Sequence, residues 1–259
     1  MARTILAVGC HPDDIEFMMA GTLLLLRDRG CDIHYMNVAN GNCGSVVYGA
    51  KELAMMRRAE AMDACGFLGS LFHESITNDL EVFYEDTQIR KVTAVVREVR
   101  PDILFLMSPE DYMEDHMNAC RLGVTAAFCR GMPNYRTIPE REGYRQDIAV
   151  YHALPYGLHD GLDRAVLPDF YVDIAGVIER KQEMLQKHRS QQDWLDTSQG
   201  LNSYLASMRS MSGEVGRMSG RYKFAEGFRL HNHLGLSEKG IDPLNDLLAD
   251  LRHDAGLSD

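Results

Sequence analysis

The amino-acid sequence predicts an α/β protein, a Rossmann-like three-layer α/β/α sandwich built on a mostly parallel sheet. Apolar runs of strand length recur through the first half of the 259-residue chain. Each run is followed by a segment whose apolar residues repeat with the period of an amphipathic helix. Turn residues such as Asn, Gly and Pro separate the two kinds of segment. Strands that alternate with helices in this way are joined by right-handed crossovers into a parallel sheet.

The first strand and its helix show the pattern most clearly. Residues 4–10 form a nearly continuous apolar run, which is typical of a parallel strand covered on both faces. Residues 14–29 carry apolar side chains at helical spacing, and Gly30 follows where a helix commonly ends. The same patterns predict strands at 33–39, near 70–73 and at 102–107, and helices at about 51–66, 86–99 and 117–130.

The second half of the sequence is patterned less regularly. Residues 131–147 contain two prolines, two glycines and many charged residues, which indicates an excursion at the surface. Strands are expected at 148–152 and 170–172. Asp173 would then cap a helix that reaches about Gln191.

The chain shows no internal repeat and no low-complexity linker, so the prediction is a single domain over residues 1–259. Its C-terminal part (about 173–259) is expected to be mostly helical, with breaks rich in Gly, Ser and Met at 207–220.

Composition excludes several classes of protein. The net charge of −11 and the absence of clustered Lys and Arg argue against a nucleic-acid partner. No apolar run is long enough for a membrane span, and no basic segment followed by a removable apolar one is present, so no signal peptide is expected. The six cysteines form no Cys-x-x-Cys pair. Together these features predict a cytoplasmic protein with reduced thiols.

The turn after the first strand carries residues that can bind metal. His11, Pro12, Asp13 and Asp14 stand between the strand and its helix, at the strand end where ligands bind in open α/β sheets. His11 and Asp14 are close enough in sequence to chelate one ion. A third ligand should come from another strand's carboxyl end, and His116, after the strand at 102–107, meets that condition.

A His/Asp/His set suits zinc, although manganese, iron or nickel would also accept nitrogen and oxygen ligands. Asp13 would remain unbound to the metal, where it could take a proton from water and return it to a leaving amine. The alternative to a metal site is a purely structural role, in which His-Pro-Asp-Asp is an ordinary turn with a helix cap. The tetrapeptide alone does not exclude this role.

At these residues the sequence resembles the PIG-L/LmbE superfamily of metal-dependent N-deacetylases. The segment from His11 to Glu16, followed by Gly21-Thr22-Leu23, is similar to the first motif of that family. The resemblance covers roughly residues 3–230. It continues at Asn40-Gly41, Gly44-Ser45, Arg57, Glu60, Arg100-Pro101-Asp102, Asp115-His116, Lys181, His188 to Gln191, Ala225-Glu226 and Phe228.

The resemblance implies a metal-dependent amide hydrolase with one Zn²⁺ per chain. It implies that His11, Asp14 and His116 bind the zinc, that Asp13 is the general base and acid, and that Arg57 lies near the substrate. The implied substrate is an N-acetylglucosamine-containing glycan, glycoside or thiol-sugar. The alternative is a thiol conjugate or another small N-acyl metabolite. A homo-oligomer, either a trimer or a hexamer, is also implied.

One position departs from the family pattern. Met113 stands where the family often has a histidine that stabilises the oxyanion or protonates the leaving group. Tyr112, His152 and His159 are candidates to replace that donor. A degenerate member that binds a glycan without hydrolysing it is therefore a second hypothesis, and Met113 is its only support.

Other polar and sulfur-containing residues leave two interpretations open. Each could belong to the site or could serve an ordinary structural role, as a helix acid, a core histidine, a turn residue or a packing surface. They are Glu16, Asp79, His188, the pair His231 and His233, and the methionines Met208, Met211 and Met218.

Overall fold

One eight-stranded sheet runs through the protein, with helices packed against both of its faces. The computed structural model describes residues 3–192, 194 and 203–256. The strands are β1 (Thr4–Gly9), β2 (Asp32–Asn37), β3 (Leu71–His73), β4 (Ile103–Leu106), β5 (Ala149–Ala153), β6 (Phe170–Asp173), β7 (Ala225–Leu230) and β8 (Arg252–Asp254). The helices are α1 (Asp14–Met18), α2 (Ala20–Asp28), α3 (Ala50–Leu68), α4 (Asp86–Val99), α5 (Glu114–Cys129), α6 (Ile178–Leu185), α7 (Ser203–Met218) and α8 (Pro243–Leu248).

The first five strands form a parallel half-sheet in the order β3-β2-β1-β4-β5. β1 lies at the centre, where Ile5 pairs with Ile33 of β2 on one side and Ile103 of β4 on the other. Every residue of β4 is buried, as expected for a strand covered by helices on both faces. The prediction of a three-layer sandwich with a mostly parallel sheet is confirmed. The carboxyl ends of β1 and β4 therefore lie side by side.

The sheet continues with three antiparallel strands from the second half of the chain, in the order β7-β6-β8. β7 pairs with β5, and in this way it joins the two halves. The C-terminal part, for which the sequence predicts mostly helix, therefore also contributes β7 and β8. Neither has a continuous apolar run, and β8 has only three residues. Residues 193, 195–202 and 257–259 of this part lie outside the described residues.

The helix predicted at 14–29 is divided into α1 and α2 at Met19, whose φ of −145° is not helical. The break exposes backbone N–H groups at the start of α2. Glu226 on β7 accepts hydrogen bonds from two of them, Gly21 N at 2.8 Å and Thr22 N at 2.7 Å. The carboxylate also lies 2.7 Å from Lys181 Nζ, so a buried ion pair links α2, α6 and β7.

Two further helix predictions differ in extent from the structure. The helix expected from Asp173 to about Gln191 ends at Leu185, and helical backbone resumes at 189. The breaks expected at 207–220 are absent up to Met218, because α7 runs without interruption to that residue.

The segment 131–147 contains no helix or strand and lies at the surface, as predicted. The buried Arg97 guanidinium of α4 fixes this segment by donating to the backbone carbonyls of Cys129, Arg130, Met132 and Arg141. All six cysteines are unpaired, and five of them are buried. Within the described residues, no helix is both long enough and apolar enough to cross a bilayer.

Candidate metal centre

The turn between β1 and α1 is held in shape by one of its own side chains. Asp14 is the first residue of α1, and its Oδ2 accepts hydrogen bonds from Cys10 N at 3.1 Å and His11 N at 2.7 Å. These bonds turn the carboxylate back over the end of β1. Its second oxygen, Oδ1, faces His116 Nε2 at 3.5 Å.

His116 reaches the same point from the first turn of α5, at the neighbouring strand end. Its Nε2 lies 3.3 Å from His11 Nδ1, and His11 Nδ1 lies 3.6 Å from Asp14 Oδ2. Ligands about 2.0–2.1 Å from a tetrahedral ion are about 3.3 Å apart, which matches the separation of the two histidine nitrogens. Asp14 approaches the two histidines with different oxygens, Oδ2 towards His11 and Oδ1 towards His116. The structure thus brings together His11, Asp14 and His116, which we call the ligand cluster.

Each histidine of the ligand cluster has a carboxylate on its other ring nitrogen. His11 Nε2 lies 3.1 Å from Asp115 Oδ2, and His116 Nδ1 lies 3.1 Å from Asp111 Oδ2. When these nitrogens carry the protons and donate to the carboxylates, His11 Nδ1 and His116 Nε2 are left free as ligands. This arrangement is typical of metal-binding histidines.

The sequence interpretation missed both carboxylates. They lie one and five residues before His116, and this closeness in sequence was the signal that they could orient a histidine ligand. Glu16, one candidate to orient His11, instead lies fully buried beside Tyr35 and His188.

Cys10 is a further potential ligand near His11 and Asp14. Its Sγ lies 3.8 Å from His11 Nε2, the nitrogen that contacts Asp115 and not the one that faces His116. Burial raises the pKa of the Cys10 thiol to about 12 in the metal-free protein. Cys10 and His116 are therefore both available as a third ligand beside His11 and Asp14.

Asp13 occupies an unusual backbone conformation beside the ligand cluster. Its φ of 114° lies in a region that non-glycine residues rarely adopt. The side chain does not cap α1; its Oδ2 instead accepts a 2.8 Å hydrogen bond from the Tyr204 hydroxyl of α7. Burial and the neighbouring Asp14 raise the pKa of Asp13 to about 6.

The pKa of Asp14 differs sharply from that of Asp13. Burial alone would raise it, but the charge of His116 and the hydrogen bonds from His11 lower the pKa of Asp14 to about 2. Two adjacent carboxylates therefore have different properties: one stays ionised, and the other can exchange a proton near neutral pH. Tyr204 had no sequence signal, because it lies 191 residues from its partner.

Arg57 is a buried cation close to Asp13. Its side chain is 3% exposed and packs against Gly41 and Gly44, where a Cβ atom would lie 2.2 Å and 2.7 Å from the Arg57 side chain, respectively. The guanidinium donates to the Gly44 carbonyl at 3.3 Å, and its Nε has no hydrogen-bond partner within the described chain. Asp79 holds the glycine turn by accepting from Gly41 N and Cys43 N.

These groups surround a cavity of about 300 Å³ at the carboxyl edge of the sheet. Carboxylate, imidazole and guanidinium groups lie alongside aromatic and aliphatic side chains in its wall. The lining residues are His11, Asp13, Asp14, Phe17, Cys43, Gly44, Arg57, Asp79, Leu80, Tyr112, Met113, His116, Tyr156 and Gln191.

Several histidines considered from the sequence lie elsewhere. His152 is buried between the Met107 carbonyl and His231 Nδ1, at 3.0 Å and 2.9 Å, and burial lowers its pKa to about 4. His159 is exposed and bonds the Gly157 carbonyl. His188 lies 3.3 Å from Glu16 behind the turn. None of the three lines the cavity.

Comparisons with known proteins agree with this geometry. The family model described as PIG-L, GlcNAc-PI de-N-acetylase, matches residues 6–128, which include the whole ligand cluster. A diacetylchitobiose deacetylase from Thermococcus kodakarensis is 29% identical over 234 residues, or 88% of this chain and 82% of the relative. A probable N-acetyl-α-D-glucosaminyl L-malate deacetylase from Bacillus cereus is 29% identical over 204 residues, or 74% and 84%.

Two solved structures have the same fold. The N,N'-diacetylchitobiose deacetylase from Pyrococcus horikoshii has a TM-score of 0.72 at 25% identity and covers 95% of this chain and 89% of its own. The 4-carboxy-2-hydroxymuconate hydratase from Pseudomonas putida has a TM-score of 0.71 at 20% identity and covers 89% and 96%. The motif residues, the family match over residues 6–128 and these relatives together make the chain similar to the PIG-L/LmbE deacetylases.

Proposed function

We propose that the protein is a zinc-dependent N-deacetylase that removes the acetyl group from an amino sugar of the N-acetylglucosamine type. The observation that carries the proposal is the ligand cluster. Two histidine nitrogens and the two oxygens of Asp14 approach one another at 3.3–3.6 Å, with Asp13 and a cavity beside them. In this proposal His11, Asp14 and His116 hold one zinc ion.

The metal supplies Lewis-acid polarisation of the substrate carbonyl and lowers the pKa of water to about 7. The chain's own carboxylates divide the remaining tasks. Asp14 stays ionised as a ligand, because its pKa is about 2. Asp13 is free to exchange a proton, because its pKa is about 6 and only one of its oxygens is held by Tyr204.

Asp13 serves first as a base and then as an acid. It takes a proton from water as the water oxygen forms a bond to the acetyl carbon. The C–N bond then breaks, and the same proton passes from Asp13 to the departing sugar nitrogen. The products are acetate and the free amino sugar.

The substrate class follows from what the relatives' names share. Diacetylchitobiose, N-acetylglucosaminyl malate and acetamido-deoxyglucosyl inositol all contain an acetylated amino sugar. A cavity of about 300 Å³ lies at the small end of ligand pockets and suits one sugar ring with its acetyl group. Arg57, buried with an unpartnered Nε, is placed to bind the sugar's hydroxyls or an anionic substituent.

Three accompanying predictions concern the protein in the cell. We expect zinc as the bound metal, with manganese, iron or nickel as alternatives for a His/Asp/His set. We also expect a cytoplasmic location and a homo-oligomer, either a trimer or a hexamer, by analogy with the family.

Two measurements test the proposed function together. The first is the metal content of protein purified without added metal, for the wild type, Asp13→Asn, His116→Ala and His159→Ala. We expect about one zinc per chain in the wild type, in Asp13→Asn and in the exposed control His159→Ala, and a large loss in His116→Ala. Equal metal in His116→Ala and the wild type would contradict the ligand assignment.

The second is acetate release from N-acetylglucosamine, diacetylchitobiose and N-acetylglucosaminyl malate. We expect turnover by the wild type and by His159→Ala, and a loss of about 10²–10⁴-fold in Asp13→Asn. Metal-loaded wild type that releases acetate from none of these would favour a thiol-conjugate amidase or the non-hydrolytic glycan-binding alternative.

A further inference from the structure

The cavity lacks a donor at the position next to Tyr112. Met113 lines the cavity, but its thioether has no proton to donate. The reaction proposed above places negative charge on the carbonyl oxygen when water attacks. A site without a donor for that oxygen forfeits about 10²–10³-fold in kcat. Another O–H or N–H group in the cavity wall would therefore be needed for this role.

Tyr112 has the geometry of such a donor. Its ring meets the His116 ring edge-on, with centroids 5.8 Å apart and planes at 79°, so it packs directly against a member of the ligand cluster. The side chain lines the cavity and is 51% exposed. Within the described residues the Tyr112 hydroxyl makes no hydrogen bond, so its proton is available to a ligand.

Arg57 and Tyr156 are two further donors in the wall, which also contains Cys43 and Gln191. Arg57 belongs to the Asp13 side of the cavity, where its charge acts on that carboxylate. Tyr156 packs edge-on against Phe17 and lies 6.3 Å from the Tyr112 ring. Tyr112 alone of these three contacts a metal-binding residue.

The segment that carries Tyr112 is fixed by Asp111. The buried Asp111 carboxylate accepts from Met113 N at 3.0 Å through Oδ1 and contacts His116 Nδ1 at 3.1 Å through Oδ2. One side chain thus holds both the backbone after Tyr112 and the histidine under its ring. A donor fixed in advance is more effective than one that must reorient during the reaction.

We propose that Tyr112 stabilises the oxyanion of the deacetylation reaction. It would take the role that the family often gives to a histidine at the position of Met113. The proposal rests on the deacetylase function proposed above. As the water oxygen bonds to the acetyl carbon, the π-electron pair of the C=O bond moves to the carbonyl oxygen. The Tyr112 O–H donates a hydrogen bond to that oxygen and keeps its proton, and the bond is released when the C=O bond re-forms and the C–N bond breaks.

The first test is kinetic and uses a rescue design. Tyr112→Phe should lower kcat by about 10²–10³-fold with little change in KM and with metal content unchanged. Met113→His should restore most of that loss in the Tyr112→Phe background, because it supplies a donor from the adjacent residue. Tyr48→Phe, which alters a tyrosine outside the cavity wall, is the control and should retain kcat.

The second test measures binding without turnover. The probe is the methylphosphonamide of glucosamine, a tetrahedral mimic of the attacked acetamide, titrated by calorimetry. Tyr112→Phe should weaken binding of this probe by a factor similar to the loss in kcat and leave the affinity for glucosamine unchanged.

Three results would overturn the role of Tyr112. They are full kcat in Tyr112→Phe, a loss carried by Tyr156→Phe in its place, or equal probe affinity in Tyr112→Phe and the wild type. Each presupposes acetate release by the wild type. A wild type that releases none contradicts the deacetylase function itself, so the two failures are distinguishable.

Discussion

Two of the buried groups of charged side chains, the Lys181–Glu226 pair and the ligand cluster, differ in how their polar atoms are hydrogen-bonded. In the Lys181–Glu226 pair, the carboxylate accepts from Lys181 Nζ and from the backbone of Gly21 and Thr22. Its oxygens therefore all have donors from the chain itself. In the ligand cluster, by contrast, His11 Nδ1, His116 Nε2 and the Asp14 carboxylate face one another, with closest distances of 3.3–3.6 Å.

This difference in hydrogen bonding indicates a structural role for the Lys181–Glu226 pair and a functional role for the ligand cluster. A buried charge is tolerable only when it is paired and hydrogen-bonded. The Lys181–Glu226 pair meets this requirement internally, so it needs nothing from solution. In the ligand cluster the facing histidine nitrogens and Asp14 Oδ1 would gain such a partner from a bound cation, which is why we propose a metal site there. Both groups are buried and each contains a carboxylate, so burial and the presence of an acidic residue alone would not distinguish them.

The largest expected effect comes from breaking the Lys181–Glu226 pair. Lys181→Met should lower the free energy of unfolding by about 3–5 kcal/mol, because it leaves the Glu226 carboxylate buried without its cation. The measurement is urea denaturation of the metal-free protein. The matched control is Arg180→Met, which removes an exposed ion pair with Asp28 and should cost about 0–1 kcal/mol. Equal losses in the two variants would contradict the comparison.

The next effect is stabilisation of the ligand cluster by its cation. Zinc at about 100 times its dissociation constant should raise the free energy of unfolding by about 2.7 kcal/mol, because the ion binds the folded state. Urea denaturation with zinc and with a chelator measures the increment. His116→Ala should abolish it, whereas Lys181→Met should leave it intact. The same increment in His116→Ala would mean that zinc acts elsewhere.

The smallest effect concerns Asp13 in the metal-free protein. Its pKa is about 6 when folded and 3.8 in the reference state, so the folded state binds the proton more tightly. Stability from this group is therefore present at acidic pH and is lost as the pH rises through about 6. Asp13→Asn should stabilise the metal-free protein at pH 7.5 by on the order of 2 kcal/mol.

The control for this prediction is the same pair of proteins at about pH 4. There Asp13 is protonated in the folded state, so most of the stabilisation by Asp13→Asn should disappear. Denaturant midpoints at the two pH values give the comparison. An equal gain at both would show that the carboxylate charge is not its cause.

Most of the fold could be predicted from local patterns of apolar residues in the sequence. Parallel strands covered on both faces leave continuous apolar runs, so β1 and β4 could be recognised from the sequence. The helix predicted at 86–99 matches α4 at both ends. The parallel topology then placed His11 and His116 at neighbouring strand ends, and the structure brings them together.

What could not be predicted depends on contacts that are distant in sequence. No glycine or proline at Met19 indicates that the helix breaks there. The freed N–H groups donate to Glu226, which lies more than 200 residues away in the sequence. Tyr204 approaches Asp13 across a similar separation. The strands β7 and β8 are weakly patterned in sequence, and each pairs with strands that are distant along the chain.

The positive φ of Asp13 has a consequence for how this protein can change over generations. Backbone strain of this kind costs about 1–3 kcal/mol, and glycine adopts the same conformation without strain. A single-base mutation converts an aspartate codon to glycine, which would remove both the strain and the buried carboxylate. A lineage with no further use for proton transfer therefore has a short route to a more stable, inactive protein. The aspartate in this chain is a sign that the route has not been taken.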